Sequence, residues 1–437
     1  MAVSRVAPSQ AIVLEGSPSE KGASPLAVGS WALYDFANTI FSLNIISVYF
    51  PQFIVKDLKL NDAIYAYPMS AALLVVALIM PALGAFSDRP GGRRMPWLVA
   101  TTLMAVGMTA LMGVVSELSI IILALVLANI GYQTALIFYD ALLPSVSTTA
   151  NWGKVSGLGV GVGYAGALVG GFAVQQLIGK EAPAQQAFVP TALMFLLFAI
   201  PCFLFVRERR ADTAGQLPPA ARPTLQGSLT QTVRSLRATR ETPGLFTFLV
   251  ANFFYSDALN TVIIAMGVYA TQVIGFGSAF DVLAPAIVAA VVGSLLFGLV
   301  TDWLTSKQAL VLSLLLWVGV FVAAMFVTDK VIFQYVIAPV AGIALGSTWT
   351  AARTIMIELS PPARLGEYLG LYNLTGKFSA VLGPLLWGTT LLVLDPRTYG
   401  RSAYQVAIGT LLLMVIVGLV LHLRTPNIAR RRTLMEQ

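Results

Sequence analysis

The sequence has little of the side-chain chemistry that enzymes use. Its 437 residues include one histidine, His422, and one cysteine, Cys202. A single cysteine excludes an intramolecular disulfide and a cysteine metal cluster. A single histidine leaves no basis for a histidine-based catalytic or metal site. We therefore predict a protein that is not an enzyme and that carries no metal or other cofactor.

Charged residues are also scarce. They make up 11% of the chain, whereas a soluble domain carries roughly 25%. Hydrophobic residues make up 57%, and the mean hydropathy is +0.80. We count twelve apolar segments along the chain, each close to the ~20 residues that span a bilayer. The composition therefore predicts an all-α polytopic membrane protein with twelve transmembrane helices in a lipid bilayer.

Lysine and arginine are distributed unevenly between the two sides of this arrangement. With a cytoplasmic N-terminus, the cytoplasmic segments carry nineteen of these residues and the opposite side carries six. Short cytoplasmic loops carry the excess of positive charge in membrane proteins, so we predict that both termini are cytoplasmic. This placement explains the net charge of +7 without a nucleic-acid partner. The amino-acid usage favours a bacterial inner membrane, and we expect a monomer.

Polar stretches divide the chain into five parts. We expect a disordered cytoplasmic tail at 1–26, where serine, proline, alanine and glycine dominate. A cytoplasmic linker is predicted at 207–242, with room for a short amphipathic helix on the membrane surface. A basic cytoplasmic tail follows at 425–437. Between them, 27–206 and 243–424 each hold six predicted spans.

Two short patterns recur in the same order in both halves. The sequence Asp-Phe-Ala-Asn-Thr at 35–39 is echoed by Asp-Ala-Leu-Asn-Thr at 257–261. Likewise, Gly-Ala-Phe-Ser-Asp at 84–88 is echoed by Gly-Leu-Val-Thr-Asp at 298–302. These matches predict an internal duplication, which produces two pseudo-symmetric six-helix halves with a binding site at their interface.

The first predicted span carries a polar face. Asp35, Asn38 and Ser42 are spaced i, i+3 and i+7, which places them on one side of a helix. A charge at the centre of a membrane helix costs about 2.5–3.5 kcal/mol on insertion scales, so such residues usually face a bundle interior or a wet cavity. The alternative is that Asp35 forms a fixed ion pair or hydrogen bonds between helices.

The loop at 84–94 resembles the signature between spans 2 and 3 of the major facilitator superfamily, with one extra residue before its arginine pair. The resemblance implies that Asp88 latches a cytoplasmic gate against the start of span 11, near Gly366. The alternative is a plain positive-inside loop. The copy at Asp302 lacks the arginine pair, so a gating role there is the weaker expectation. The candidate gating residues are Gly84, Asp88, Arg89, Arg93, Arg94 and Asp302.

Three longer stretches, at 31–38, 155–166 and 366–384, narrow the resemblance. Together they resemble the vacuolar-effluxer-like family of that superfamily, which contains fungal vacuolar amino-acid effluxers and their bacterial relatives. The likeness covers about 30–423. It implies the major facilitator fold, with spans 1, 4, 7 and 10 lining a central cavity, and the fungal branch implies amino-acid export.

A zwitterionic solute needs one cation-binding and one anion-binding group. Arg353 or Lys377 could take a carboxylate, whereas Asp35 or Asp257 could take an ammonium group or carry a proton. The candidates for solute or proton binding are Tyr34, Asp35, Asn38, Gln133, Tyr255, Asp257, Asn260, Trp349, Arg353 and Lys377.

The pattern predicts a secondary transporter that moves a small polar solute by alternating access. An amino acid or related metabolite is the first expectation, with export favoured and a proton as the possible coupling ion. The absence of a P-loop disfavours transport driven by nucleotide hydrolysis in this chain. An exporter of drugs or organic cations is the alternative, and a transport-inactive receptor or scaffold is a third possibility.

Overall fold

A computed structural model describes residues 23–60, 63–88, 93–179, 182–208, 225–276 and 280–426. Within these ranges the secondary structure is helical and contains no strand. The N-terminal half holds six long helices: α1 (Pro25–Phe41), α2 (Ala63–Ser87), α3 (Arg94–Val114), α4 (Leu118–Ala141), α5 (Trp152–Ile178) and α6 (Phe188–Phe205). A linker helix, α7 (Leu225–Ala238), follows. The C-terminal half holds α8 (Leu245–Tyr269), α9 (Phe280–Trp303), α10 (Ser306–Phe326), α11 (Ala338–Leu359), α12 (Leu365–Val393) and α13 (Arg401–Leu423).

Hydropathy and length qualify these helices as membrane spans. Ten segments of the described residues are long and apolar enough to cross a bilayer. Two further helices, α2 and α8, have 25 residues each, which is above the ~20 that a span needs. The described part of the chain is therefore an all-α polytopic membrane protein, as its composition predicts.

The helix ends follow local rules. Ser24 caps α1 by accepting a hydrogen bond from the Ala27 N–H, and Thr305 caps α10 in the same way through the Gln308 N–H. α1 continues beyond Phe41 as π-helical turns over Ser42–Tyr49. The predicted tails and part of the linker, 1–22, 209–224 and 427–437, lie outside the described residues.

Glycines set the close packing of α5. A Cβ atom on Gly166 would lie 2.5 Å from the carbonyl oxygen of Phe36 on α1. One on Gly157 would lie 2.3 Å from the carbonyl oxygen of Ser294 on α9. α5 therefore uses one glycine face to pack within its own half and another to pack against the other half.

The described part of the linker contains a helix that packs against the bundle. Helix α7 packs against α2 and α12, and the buried Ser235 hydroxyl donates a hydrogen bond to the Glu367 carboxylate. Arg364 also holds Glu367, with two bonds of 2.8 Å. The linker thus contacts both halves at the end of the bundle where Asp88 and Asp302 lie, hereafter the Asp88 end.

Candidate functional site

A cavity of about 500 Å³ lies between the two halves. This volume is within the range of roughly 300–1,000 Å³ found for small-molecule sites. Its polar lining comes from helices of both halves: Asp35, Asn38, Thr39, Ser42, Tyr132, Gln133, Asp140, Tyr164, Asn252, Asn260, Trp349, Arg353, Tyr372, Asn373 and Lys377. A cavity with this many hydrogen-bonding groups suits a polar solute.

Arg353 on α11 joins the two halves inside the cavity. Its Nε lies 3.1 Å from Asp140 Oδ1 on α4, and its Nη2 lies 3.6 Å from Asp35 Oδ2 on α1. All three side chains are at most 13% exposed. Two carboxylates share one guanidinium, so this Asp35–Arg353–Asp140 triad carries one excess negative charge when all three groups are ionised.

Aromatic rings complete the setting of Arg353. Its guanidinium carbon lies 5.7 Å from the centroid of Trp31 and 5.6 Å from that of Tyr139, within the distance for a cation–π interaction. The two rings stack with centroids 4.5 Å apart, and the Trp31 indole donates to the Tyr139 carbonyl at 3.2 Å. The rings and carboxylates of the N-terminal half thus surround a cation from the C-terminal half.

Lys377 is the other cation of the cavity. It lies on α12, and no carboxylate among the described residues forms an ion pair with it. With Lys377 and the Asp35–Arg353–Asp140 triad all ionised, the cavity has no net charge. Lys377 therefore remains available to an anionic group, whereas Arg353 is already paired.

Seven of the ten residues predicted to bind solute or protons line the cavity, namely Asp35, Asn38, Gln133, Asn260, Trp349, Arg353 and Lys377. The other three point elsewhere. The Tyr34 hydroxyl lies 2.6 Å from Thr102 Oγ1 on α3. Tyr255 packs against Gly418 on α13. Asp257 accepts a hydrogen bond from the Gly383 N–H on α12 at 2.8 Å. Each of these contacts lies within one half.

The structure adds residues that pattern reasoning left out of the candidate set. Asp140 is the most important, because it provides the closer ion pair of Arg353. Its position near the end of an apolar span fits a gate or a snorkelling side chain as well as a solute contact, so the sequence does not single it out. Asn252, Tyr164, Tyr372 and Asn373 also line the cavity. Asn252 lies three residues before Tyr255 on α8. Its sequence signal is a polar side chain inside an apolar helix, which could have identified it as a cavity residue.

Asp88 joins the two halves at one end of the bundle. Its carboxylate accepts hydrogen bonds from the backbone N–H groups of Gly366 at 3.0 Å and Glu367 at 2.9 Å, at the start of α12. Arg94 adds an ion pair at 2.8 Å and also donates to the Ala141 carbonyl at 3.1 Å. Only 3% of the Asp88 side chain is exposed. The free N–H groups and dipole of a helix N-terminus favour a carboxylate in this position.

Asp302 makes the equivalent contact in the other half. It accepts hydrogen bonds from the N–H groups of Gly153 at 2.7 Å and Lys154 at 2.8 Å, at the start of α5. The expectation of a weaker role rested on the missing arginine pair. The geometry shows that the contact needs only a carboxylate and a helix start. Unlike Asp88, Asp302 is exposed, and no ion pair with it occurs within the described ranges.

The remaining candidate gating residues have different positions. Gly84 lets α2 touch α12, because a Cβ there would lie 2.0 Å from the Gly366 carbonyl oxygen. Arg94 is the arginine that contacts Asp88, whereas Arg93 is exposed. Arg89 lies outside the described residues.

The sequence matches known proteins over most of its length. The family model described as "Vacuole effluxer Atg22 like" matches residues 58–433. The MFS-type transporter YxiO of Bacillus subtilis (strain 168), described as uncharacterized, is 27% identical over 418 residues, which cover 91% of this chain and 94% of that protein. A protein of Aquifex aeolicus (strain VF5), also described as uncharacterized, is 24% identical over 399 residues, which cover 91% of this chain and 96% of that protein.

Solved structures share the fold at low sequence identity. The human organic anion transporter MFSD10 (TETRAN) superposes with a TM-score of 0.69 and 12% identity, over 92% of this chain and 100% of that one. The major facilitator superfamily transporter FucP, in its outward conformation, superposes with a TM-score of 0.69 and 11% identity, over 90% of this chain and 98% of that one.

These matches agree with the helical architecture and with the cavity between the halves. At such identities the solved structures establish the fold, and the family model establishes the family. The chain belongs to the Atg22-like vacuole effluxer family, and it is an integral multi-pass membrane transporter of the major facilitator type rather than an enzyme.

Proposed function

We propose that this transporter moves a small zwitterionic solute, with amino acids as the first class, by alternating access. The observation that carries the proposal is Lys377, a cation that has no ion-pair partner among the described residues and lies in a polar cavity with the Asp35–Arg353–Asp140 triad. The solute carboxylate would bind Lys377, and its ammonium group would bind near the two carboxylates. A zwitterion would leave the cavity without net charge, which limits the cost of burying it.

The Asp88 end is proposed to be the cytoplasmic end, with both termini on that side. The excess of arginine and lysine there supports this orientation. The carboxylate contacts of Asp88 and Asp302 join the halves at this end. On this assignment, the described state is closed towards the cytoplasm. Gly84, Asp88, Arg94 and Asp302 would then form the cytoplasmic gate of a bacterial inner-membrane protein that acts as a monomer.

A proton is proposed as the coupling ion, bound by the Asp35–Arg353–Asp140 triad. The triad has one carboxylate more than its cation can neutralise, and all of its members are largely buried. A proton on Asp35 or Asp140 would remove the excess charge and weaken the hold on Arg353. Since Arg353 belongs to the other half, this weakening would ease the separation of the halves. In this mechanism, protons that move into the cell would drive the solute out of it.

The test is counterflow in proteoliposomes with three matched sets of radiolabelled probes: amino acids, the amines that lack the carboxylate, and the acids that lack the ammonium group. Amino acids should exchange best, and a pH gradient should drive their accumulation. Lys377→Gln should raise the KM for amino acids by about ten-fold or more, the effect of losing a hydrogen bond to a charged group. Lys377→Arg is the control that keeps the charge.

Two outcomes would contradict the proposal. If the amines exchange as well as the amino acids, Lys377 does not bind a carboxylate, and an exporter of organic cations becomes the better assignment. If no probe exchanges with or without a pH gradient, zwitterion transport is wrong for this chain. The organic-cation alternative is supported by the excess negative charge of the triad, but a cationic solute offers no anionic group for Lys377 to bind.

A further inference from the structure

Asp257 is a buried acid that the proposed transport cycle does not use. Its side chain is fully buried on α8, and it is not among the residues that line the cavity. Oδ1 accepts the Gly383 N–H at 2.8 Å, whereas Oδ2 has no hydrogen-bond partner in the described part of the structure. No ion pair with Asp257 occurs there either. A carboxylate in this setting needs an explanation.

The charged groups on the helices around α8 have other contacts. Those whose side chains the structure describes are Glu367 and Lys377 on α12, Arg401 and His422 on α13, Arg353 and Glu358 on α11, and Asp302 on α9. Lys377 faces the cavity, and the other six bond to groups other than Asp257. An ionised Asp257 would therefore be a buried charge with one backbone hydrogen bond. A buried carboxyl without a cation takes up a proton instead.

The partner of Asp257 lies at a weak point of α12. Pro384 follows Gly383 inside this helix. Proline has no N–H, and its ring clashes with the carbonyl oxygen four residues earlier, so the helix loses part of its internal bonding here. A carboxyl that accepts the adjacent Gly383 N–H holds the backbone across this point.

The two helices also touch at Gly383. A Cβ there would lie 2.1 Å from Thr261 Oγ1 and 2.8 Å from Asp257 Oδ1. Glycine is therefore required for this contact. Two side chains of α8 thus contact the backbone of α12 directly.

In the N-terminal half, Asp35 on α1 lies beside a glycine of α5 as Asp257 on α8 lies beside a glycine of α12, but its carboxylate has a different partner. Thr39 donates to the Asp35 carbonyl as Thr261 does to the Asp257 carbonyl, at 2.7 and 2.8 Å. A Cβ on Gly163 of α5 would lie 3.3 Å from Asp35 Cγ. Asp35, however, pairs with a guanidinium across the cavity. Asp35 thus has a counter-ion, whereas Asp257 has none within the described part of the chain.

We propose that Asp257 is a positioning residue whose protonated carboxyl clamps α12 at Gly383. Lys377 lies six residues before this clamp, or about 9 Å along the helix. The clamp thus fixes the position of the α12 segment that carries Lys377. The N-terminal end of the same helix carries Gly366, which contacts Asp88. The inference does not depend on which solute is carried.

The test compares Asp257→Asn, which keeps a neutral acceptor for the Gly383 N–H, with Asp257→Leu, which removes it. Amide hydrogen exchange of the α12 segment around Gly383 should stay near the wild-type rate in Asp257→Asn. It should rise by about ten-fold in Asp257→Leu, because a buried N–H loses its acceptor. Gly383→Ala should also raise exchange in this segment, since its Cβ would collide with Thr261.

An infrared spectrum of the protein in lipid at neutral pH tests the protonation state. The wild type should show the C=O stretch of a protonated carboxylic acid that Asp257→Asn lacks, whereas Asp35→Asn should leave this band unchanged. The proposal is overturned if Asp257→Asn leaves the band intact, or if its α12 exchange is as fast as in Asp257→Leu. Should Asp257→Leu fail to fold, the infrared comparison and Gly383→Ala still decide.

Discussion

Removal of the Asp88 carboxylate tests how the bundle is closed at the Asp88 end. Asp88 and Arg94 belong to the same half, so their ion pair can persist when the halves separate. Only the hydrogen bonds from Gly366 and Glu367 are lost on opening. Hydrogen bonds to a charged group contribute about 1.5–3 kcal/mol each. For Asp88→Ala we therefore expect the closed state to lose at least about 3 kcal/mol, or about 100-fold or more in the ratio of closed to open molecules.

Asp302→Ala is the matched control. Asp302 also accepts two backbone N–H groups at a helix start, but its side chain is exposed and solvent can replace these bonds. We expect a loss of about 1 kcal/mol, or about five-fold. The difference between the two variants measures what burial adds to the same hydrogen-bond pattern.

The assay is a distance distribution between two spin labels, measured by pulsed electron paramagnetic resonance in lipid. Ala150→Cys and Gln308→Cys place the labels on exposed positions of opposite halves at this end. Cys202 is the only native cysteine, so Cys202→Ala provides the background. Asp88→Ala should shift most of the population to the longer distance. The reasoning is refuted if Asp302→Ala opens the bundle as far as Asp88→Ala does.

Four further substitutions probe packing and charge. Gly84→Ala should keep the same label pair at the longer distance, because its Cβ would lie 2.0 Å from the Gly366 carbonyl oxygen. Arg353→Gln should cost about 3–5 kcal/mol of stability, since it leaves buried carboxylates without a cation; adding Asp140→Asn should recover part of the loss in thermal unfolding. Trp31→Ala should cost about 3–5 kcal/mol in the same measurement, because the ring is fully buried.

The all-helical membrane architecture follows from local properties of the sequence. A span needs about 20 apolar residues because a helix of that length crosses the hydrocarbon core, and it is helical because every backbone polar group must bond within the segment in lipid. This requirement is visible in composition alone. The repeat at 35–39 and 257–261 also reveals two related halves, because duplicated helices keep their polar positions in the same order.

The cavity lining could be predicted in part. A polar residue in an apolar span must avoid lipid, and Asp35, Asn38 and Arg353 do line the cavity. The same rule could not separate a cavity from a helix interface. Asp257 satisfies it by facing the backbone of α12 instead.

The partners of the charged groups were decided only by the tertiary structure. Arg353 was a candidate for binding a solute carboxylate, but it lies between Asp35 and Asp140, which come from two helices of the other half. Ion pairs depend on distances of a few ångströms across helices that are far apart in the chain, and no local pattern encodes these distances.

The contacts at the Asp88 end also depend partly on the sequence and partly on the tertiary structure. The sequence by itself determined where carboxylates, glycines and apolar spans occur, because these are properties of single residues and helical periods. It marked Asp302 as the copy of Asp88 but predicted a weaker role for it, because the arginine pair is missing; the contact that the two aspartates share is with backbone N–H groups of the other half. Every helix has free N–H groups at its start, so their presence does not distinguish one helix from another. Only the packing of the two halves decided which carboxylate meets which helix.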